Sequence, residues 1–302
     1  MRYATAFDFR RALESRLLAR SRETAVPLAW LRKQVAFDRF LARLLRLAPD
    51  RWILKGALAL DYRLADRART SKDMDLAYRG LENDATEQVL AASALDLGDF
   101  FSFQVERTAK LDELVGGAAV RYHTICRVGR SIFDEASIDV GFTDSFEVIE
   151  LVRAPPLLDF ADIQTVEAPT LPLVEHIAQK LHAYVRVYGL KRQPSTRTKD
   201  LADLVIISSY FSVRALALRR AVVDTFAARV TPLPPEVPVP PDGWRRDYPR
   251  IALKLGLDPN LEAAHRTVSA FLDPILRSDD PPGVWGPSAQ QWIAGEIQRS
   301  RA

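Results

Sequence analysis

The chain has 302 residues, of which 48% are hydrophobic and 27% are charged, with a formal net charge of +3 at pH 7. This composition is typical of a soluble globular protein with one large domain or two ordinary ones. No apolar run approaches the roughly 18 residues of a membrane span, and Asp8 and Glu14 interrupt any signal peptide, so we expect a cytoplasmic protein without a membrane partner. The single cysteine, Cys126, excludes an internal disulfide and a cysteine zinc cluster.

The first third of the chain predicts helices around one short strand. Apolar residues recur at helical spacing over 7–18 and again over 31–44. Residues 51–54 form a short apolar run that stops at Gly56, which predicts a strand entering a tight turn. The segment 57–64 then has helical composition.

The middle of the chain predicts a β-rich region. Alternating or β-branched residues predict strands over 72–78, 101–107, 118–128 and 137–142. A helix is predicted over 83–97, and Gly116–Gly117 predicts a turn. The proline-rich run 154–172 predicts a crossover with little regular structure.

The second half predicts helices with one extended segment. Helical patterns cover 173–188 and 198–210, with a polar loop over 191–197 between them. The proline-rich stretch 231–241 predicts an extended linker or strap, and the last sixty residues again have a helical pattern. We therefore expect an α+β protein, with an N-terminal α/β domain over 1–160 and a mostly helical domain over 161–302.

Positive charge is concentrated in one segment. No acidic residue occurs from His176 to Lys199. The same segment contains the cations Lys180, Arg186, Lys191, Arg192, Arg197 and Lys199. Such a stretch suits a polyanion, either a triphosphate or a nucleic-acid backbone. A solvated basic face is an equally weighted alternative.

Two aspartates stand two residues apart in a predicted strand. Asp73 and Asp75 therefore project from the same face, about 7 Å apart. Carboxylates in this arrangement can hold magnesium, which prefers oxygen ligands and keeps substrate phosphates among them. Two such ions would activate an attacking hydroxyl and neutralise a leaving pyrophosphate. The alternative is a pair of solvated strand carboxylates.

A third carboxylate and a glycine turn extend this hypothesis. Asp139 is the lone acid of an apolar strand, where a buried carboxylate needs a cation or a hydrogen-bond network. If its strand lies beside that of Asp73 and Asp75, Asp139 can bind metal and accept the proton of the nucleophile. Gly56 lets backbone N–H groups approach a phosphate at a helix N-terminus. An edge or capping role for Asp139 is the alternative.

Several segments together resemble the AbiEii/AbiGii nucleotidyltransferase family, the toxins of type IV toxin–antitoxin systems, which include the MenT enzymes. Residues 54–60 and 69–76 resemble its first motif, and 31–41 are similar to its lead-in. Asp139 matches its third acidic strand, and the segments 175–183 and 197–204 match its lysine motif and closing helix. The likeness covers roughly 7–210 and implies a polymerase β-type nucleotidyltransferase domain, a mixed sheet flanked by helices.

The resemblance assigns roles to particular residues. It implies that Asp73, Asp75 and Asp139 are catalytic metal ligands, that Lys180 contacts the triphosphate, and that Asp200 or Asp203 is required. Further candidates for nucleotide binding are Lys55, Gly56, Ala57, Ser71 and Arg197. Ala57 departs from the glycine or serine typical of the family and cannot donate a hydroxyl to a phosphate. For Ser71 and Lys180, a strand-edge serine and a surface lysine lying over an apolar stripe are the respective alternatives.

By this resemblance, we expect an Mg²⁺-dependent transferase with a two-metal site and a nucleoside triphosphate as substrate. Some family members modify the 3′ end of tRNA and stop translation, and the basic stretch suits an RNA acceptor. A Ser, Thr or Tyr hydroxyl of a protein is the second acceptor considered. A non-catalytic binding module with a degenerate site is the third hypothesis. A cognate antitoxin encoded alongside is the expected partner.

Overall fold

A computed structural model of the chain describes residues 1–64, 72–111, 119–143, 149–188, 193–281 and 283–294. The chain divides into two compact units, Met1–Leu171 and Pro172–Ala302. The predicted boundary at 160/161 precedes a strand of the first unit, Glu167–Thr170. Within the described residues, no helix is long and apolar enough to cross a membrane.

The first unit is a mixed sheet with helices, as the α+β prediction requires. Its helices are α1 (Ala6–Thr24), α2 (Leu28–Leu47), α3 (Gly56–Leu64) and α4 (Glu82–Ala94). Its strands are β1 (Trp52–Leu54), β2 (Asp73–Arg79), β3 (Phe101–Leu111), β4 (Ala119–Val128), β5 (Ser131–Thr143), β6 (Glu150–Arg153) and β7 (Glu167–Thr170). The sheet order is β3-β4-β5-β2-β1-β7-β6, with β2–β5 and β1–β7 parallel.

One face of the sheet packs on helices. Along each strand, successive side chains point alternately towards this face and away from it. β4 alternates strictly between half-exposed and buried positions, with Tyr122 fully buried. Met74 and Ile138, from β2 and β5, enter the same hydrophobic core as Phe37 and Phe40 of α2. Because successive strand side chains point to opposite faces, the polar neighbours of these residues lie on the other face. This alternation positions the candidate site.

A buried ion pair joins α2 to the start of β3. Arg43 is fully buried, and its Nη2 and Nη1 donate to Asp99 at 2.7 and 3.1 Å. Nη2 also donates to the carbonyl oxygen of Phe101 at 2.7 Å. A buried charge is tolerated only when it is paired and hydrogen-bonded in this way.

The proline-rich run 154–172 contains more regular structure than predicted. A short 3-10 helix covers Asp159–Ala161, and β7 pairs with both β1 and β6. The expectation of a crossover with little regular structure was therefore wrong at β7. Proline lacks an N–H group and argues against a strand, but Pro169 is accommodated in β7. The predicted turn at Gly116–Gly117 lies outside the described residues.

The second unit is mostly helical. Its helices are α5 (Leu173–Val185), α6 (Thr198–Tyr210), α7 (Ala215–Ala228), α8 (Trp244–Lys254) and α9 (Leu261–Arg277). Its short strands are β8 (Val187–Tyr188), β9 (Gln193–Pro194), β10 (Val213–Arg214), β11 (Val284–Gly286) and β12 (Gln291–Ile293). α5 packs against α6 and α7, and α6 packs against α8 and α9.

Two details of this unit bear on the sequence predictions. The stretch 231–241 has no helix or strand, as predicted, and is fixed where the Val237 amide donates to Asp273 at 2.8 Å. The expectation of helix to the end of the chain was wrong at β11 and β12. These strands form a hairpin whose Trp285 and Trp292 pack on Phe271, so burial of aromatic surface outweighs the helical pattern.

Candidate active site

Three aspartates come together on two adjacent strands of the first unit. In the parallel β2–β5 ladder, Asp75 lies directly beside Asp139, and Asp73 lies beside Ser137. Neighbouring strands are about 4.8 Å apart, and positions two apart share a face. The condition set by the sequence, that the strand of Asp139 lies beside that of Asp73 and Asp75, is met. The result is a row of acids on one sheet face.

Burial of the intervening residues fixes the orientation of this row. Met74 is fully buried and Leu76 is 2% exposed, whereas Asp73 and Asp75 are half-buried. The apolar side chains enter the core, so the acids between them must face away from it. The Asp139 side chain is 18% exposed, so it is mostly shielded from solvent but a small part of it remains accessible.

The turn between β1 and α3 packs directly against Asp75. The Lys55 amide donates to the carbonyl oxygen of Asp75 at 2.8 Å. Gly56 has φ of 64°, and a Cβ at that position would overlap the carboxylate, 2.7 Å from its Cγ. Two features therefore require glycine at position 56: its backbone is left-handed, and the Asp75 carboxylate approaches it closely.

Ala57 follows this glycine and is 2% exposed. Its methyl group is therefore buried, and Ala57 itself could contact a phosphate only through its backbone N–H group. Lys55 is half-buried at the same turn. Ser71, the other candidate near the acids, lies outside the described residues.

Arg121 is a charged residue of this site that the sequence reasoning missed. It lies opposite Asp139 in the β4–β5 ladder, and its Nε and Nη2 donate to the two Asp139 oxygens at 2.7 and 2.6 Å. The hydrogen bonds that the guanidinium donates to Asp139 raise its pKa above the ordinary value, with help from the negative charges of Asp139, Asp73 and Asp75, and burial opposes this shift. The sequence did contain a signal for Arg121, because apolar and polar residues alternate along β4 and Arg121 lies at one of the polar positions.

The carboxylates fit a magnesium ion that is shared with a substrate. In the described parts of the chain, no group of three or more His, Cys, Asp and Glu side chains is arranged so that it could hold a metal ion. Magnesium does not require such a group, because it is usually held by one or two carboxylates together with substrate phosphates. Asp73 and Asp75 supply such oxygen donors. Both Asp139 oxygens are engaged by Arg121 in this structure.

Lys180, Asp200 and Asp203 form a second cluster, within the second unit. Lys180 on α5 is 5% exposed, and its Nζ donates to Asp203 at 2.6 Å and to Asp200 at 3.3 Å. Asp200 and Asp203 lie three apart on α6 and so share one face. The alternative of a surface lysine was wrong, because both acids of α6 hold this lysine in a buried position.

The remaining basic residues are distributed unevenly. Arg197 and Lys199 are exposed at the start of α6, and Arg186 is half-buried. Lys191 and Arg192 lie outside the described residues. The alternative of a solvated basic face included Lys180. Because Lys180 is buried against two acids, it does not contribute to such a surface.

A match to a protein-family model supports a nucleotidyltransferase assignment. The profile of the family described as nucleotidyl transferase AbiEii toxin, type IV TA system, matches residues 39–292. Among solved structures, the MenT4 nucleotidyltransferase toxin of Mycobacterium tuberculosis is 21% identical over 68% of each chain, with a TM-score of 0.49. JHP933 from Helicobacter pylori is 15% identical over 82% of this chain and 93% of its own, with a TM-score of 0.47. No curated protein sequence matches the chain.

Proposed function

Because the chain belongs to the AbiEii family of nucleotidyltransferase toxins, whose members act in type IV toxin–antitoxin systems, we propose that Asp73, Asp75 and Asp139 hold magnesium for nucleotide transfer to an acceptor hydroxyl. The observation that carries the proposal is the row of Asp73, Asp75 and Asp139 on adjacent strands. Family membership implies a nucleoside triphosphate substrate and a cognate antitoxin.

The proposed reaction joins the acceptor oxygen to the α-phosphorus of the triphosphate. The bond from this phosphorus to the bridging oxygen breaks, and pyrophosphate leaves. Magnesium supplies the positive charge that the triphosphate and the leaving group need. Asp139 is the proposed acceptor of the hydroxyl proton, because it stands beside Asp75 on the neighbouring strand. The first amides of α3, after Gly56, are proposed to contact a phosphate.

Lys180 is proposed as a phosphate contact, as the family resemblance implies. An ammonium group has three donors, and Asp200 and Asp203 engage two of them. The two acids would therefore fix the position of the Lys180 ammonium group. Arg197, exposed at the start of α6, is the proposed second cation.

The proposed acceptor is the 3′ end of tRNA, whose modification would stop translation. The exposed cations at the start of α6, Arg197 and Lys199, support an RNA acceptor because phosphate neutralisation supplies most nonspecific affinity for nucleic acids. A protein hydroxyl would be modified by the same chemistry and is a separate outcome of the test.

The test supplies each labelled nucleoside triphosphate with magnesium and either total RNA or total protein. The variant is Asp73→Asn, and the matched control is Asp84→Asn, an exposed acid in the first turn of α4. Wild type and Asp84→Asn should label tRNA, and Asp73→Asn should lose about a hundredfold or more in rate. Label on protein alone would replace the proposed acceptor. Equal behaviour of wild type and Asp73→Asn, or no transfer at all, would contradict the proposed chemistry.

A further inference from the structure

A guanidinium lies in line with the acids of the site. Across β4, β5 and β2, the ladder places Arg121, Asp139 and Asp75 side by side on one sheet face. The Arg121 side chain is 38% exposed, and its fork donates to both oxygens of Asp139. A positive charge thus already stands at one end of a site proposed to bind a divalent cation.

We propose that Arg121 is a positioning residue that competes with the divalent cation for the Asp139 carboxylate. Arg121 would neutralise the acid before metal and nucleotide arrive, and it would release Asp139 when they bind. The inference rests on the proposed function, because it concerns the same three acids.

The geometry of the ion pair gives the reason for competition. A two-pronged guanidinium contact occupies the inward-facing lone pairs of both carboxylate oxygens, which restricts their use by a metal. The guanidinium charge also repels a dication at short range. Removing Arg121 would leave Asp73, Asp75 and Asp139 without this opposing charge, so the row of acids would attract a cation more strongly.

A nucleoside triphosphate changes this balance. Its phosphate oxygens offer a released guanidinium a second anionic partner of matching geometry. Metal and nucleotide together should therefore displace Arg121 from Asp139 more readily than metal alone. The result is positive coupling between the two ligands, and part of that coupling depends on Arg121.

The direct test measures Mn²⁺ binding to the full chain by electron paramagnetic resonance, without nucleotide. Arg121→Ala should bind Mn²⁺ about tenfold more tightly than wild type. Arg127→Ala is the matched control, because Arg127 lies on the same strand and the same face but contacts Gln104. Its Mn²⁺ affinity should equal that of wild type. The double variant Arg121→Ala/Asp139→Asn should lose the gain, since the gain requires the freed carboxylate.

Equal or weaker Mn²⁺ binding by Arg121→Ala would overturn the proposal, since Arg121 would then support the metal site or have no effect on it. Arg121→Gln, which keeps most of the side-chain length, should give the same tightening, and it decides the matter if Arg121→Ala does not fold. A second readout is the melting temperature. Mn²⁺ should raise it more in Arg121→Ala than in wild type, because tighter binding to the folded state stabilises it more.

The nucleotide-transfer assay separates this inference from the proposed function. If wild type transfers nucleotide and Arg121→Ala shows no gain in Mn²⁺ affinity, the competition is wrong and the proposed function stands. If wild type transfers nothing and no variant binds Mn²⁺, both are wrong. If adding nucleoside triphosphate raises Mn²⁺ affinity in wild type by a larger factor than in Arg121→Ala, the competition is supported.

Discussion

Replacing Gly56 with alanine tests whether the turn before α3 is shaped by Asp75. Gly56 has φ of 64°, and an added Cβ would lie 2.7 Å from Cγ and 2.9 Å from Cβ of Asp75. Alanine would therefore meet two penalties at once, a left-handed backbone and an overlap with a carboxylate. The Lys55–Asp75 backbone hydrogen bond at 2.8 Å limits how far the turn can retreat.

The expected cost follows from these two penalties. A left-handed conformation costs an alanine about 1–2 kcal/mol relative to glycine. Forcing extra volume into a packed position costs typically about 1–3 kcal/mol. The free energy of unfolding should therefore fall by about 2–5 kcal/mol in Gly56→Ala. Nucleotide transfer should fall with it, because any relief of the overlap displaces Asp75.

Gly98 provides a matched control in the same unit. Its φ is 65°, and a Cβ there would meet no atom within 4 Å. The free energy of unfolding of Gly98→Ala should therefore fall only by the cost of the left-handed backbone, about 1–2 kcal/mol. Urea unfolding of both variants, followed by tryptophan fluorescence, measures the difference. In an Asp75→Gly background the extra cost of Gly56→Ala should disappear, because the overlapping atoms are gone. If Gly56→Ala costs no more than Gly98→Ala, the close approach of Asp75 does not explain the glycine.

Two further predictions concern the second unit. Asp203→Ala should lower the free energy of unfolding by about 3–5 kcal/mol, because it removes the nearer partner of the buried Lys180, and Asp200→Ala should cost less. Denaturant unfolding of the two variants measures this order, and equal losses would contradict it. Burial, aided by Arg229, lowers the pKa of His182 to about 4 from the ordinary 6.5. The unfolded chain therefore binds the extra proton between these values, so stability is intact above pH 6.5 and falls as the pH drops towards 4. Replacing His182 with glutamine should flatten that part of the pH–stability curve, and an unchanged slope would assign it to other groups.

Local sequence patterns predicted much of the fold. The helix over 198–210 agrees with α6, and each helix and strand of the first unit up to Thr143 was predicted. The bounds were less accurate, because α1 continues to Thr24 beyond the predicted 18 and β5 begins at Ser131 before the predicted 137. α7 was not predicted, and β6 and β7 were missed. In β7, Pro169 and the short length of the strand hide the strand pattern, and pairing with β1 and β6 stabilises it.

The alternation of β2 was enough to place Asp73 and Asp75 on one face, because a strand repeats every two residues whatever lies beside it. Its neighbours were not determined locally. Parallel pairing of β2 with β5, the Arg121–Asp139 ion pair and the burial of Lys180 between Asp200 and Asp203 all join distant segments.

The sequence by itself therefore determined which residue types face together along each strand or helix. Only the tertiary structure decided which of those faces meet, and with them which charges are paired. The physical reason is that periodicity is a property of one element, whereas the energy of a charge depends on the partners and burial that packing provides. Asp139 shows the difference: its apolar strand predicted an acid that needs a cation or a hydrogen-bond network, and the fold provides Arg121 as its partner.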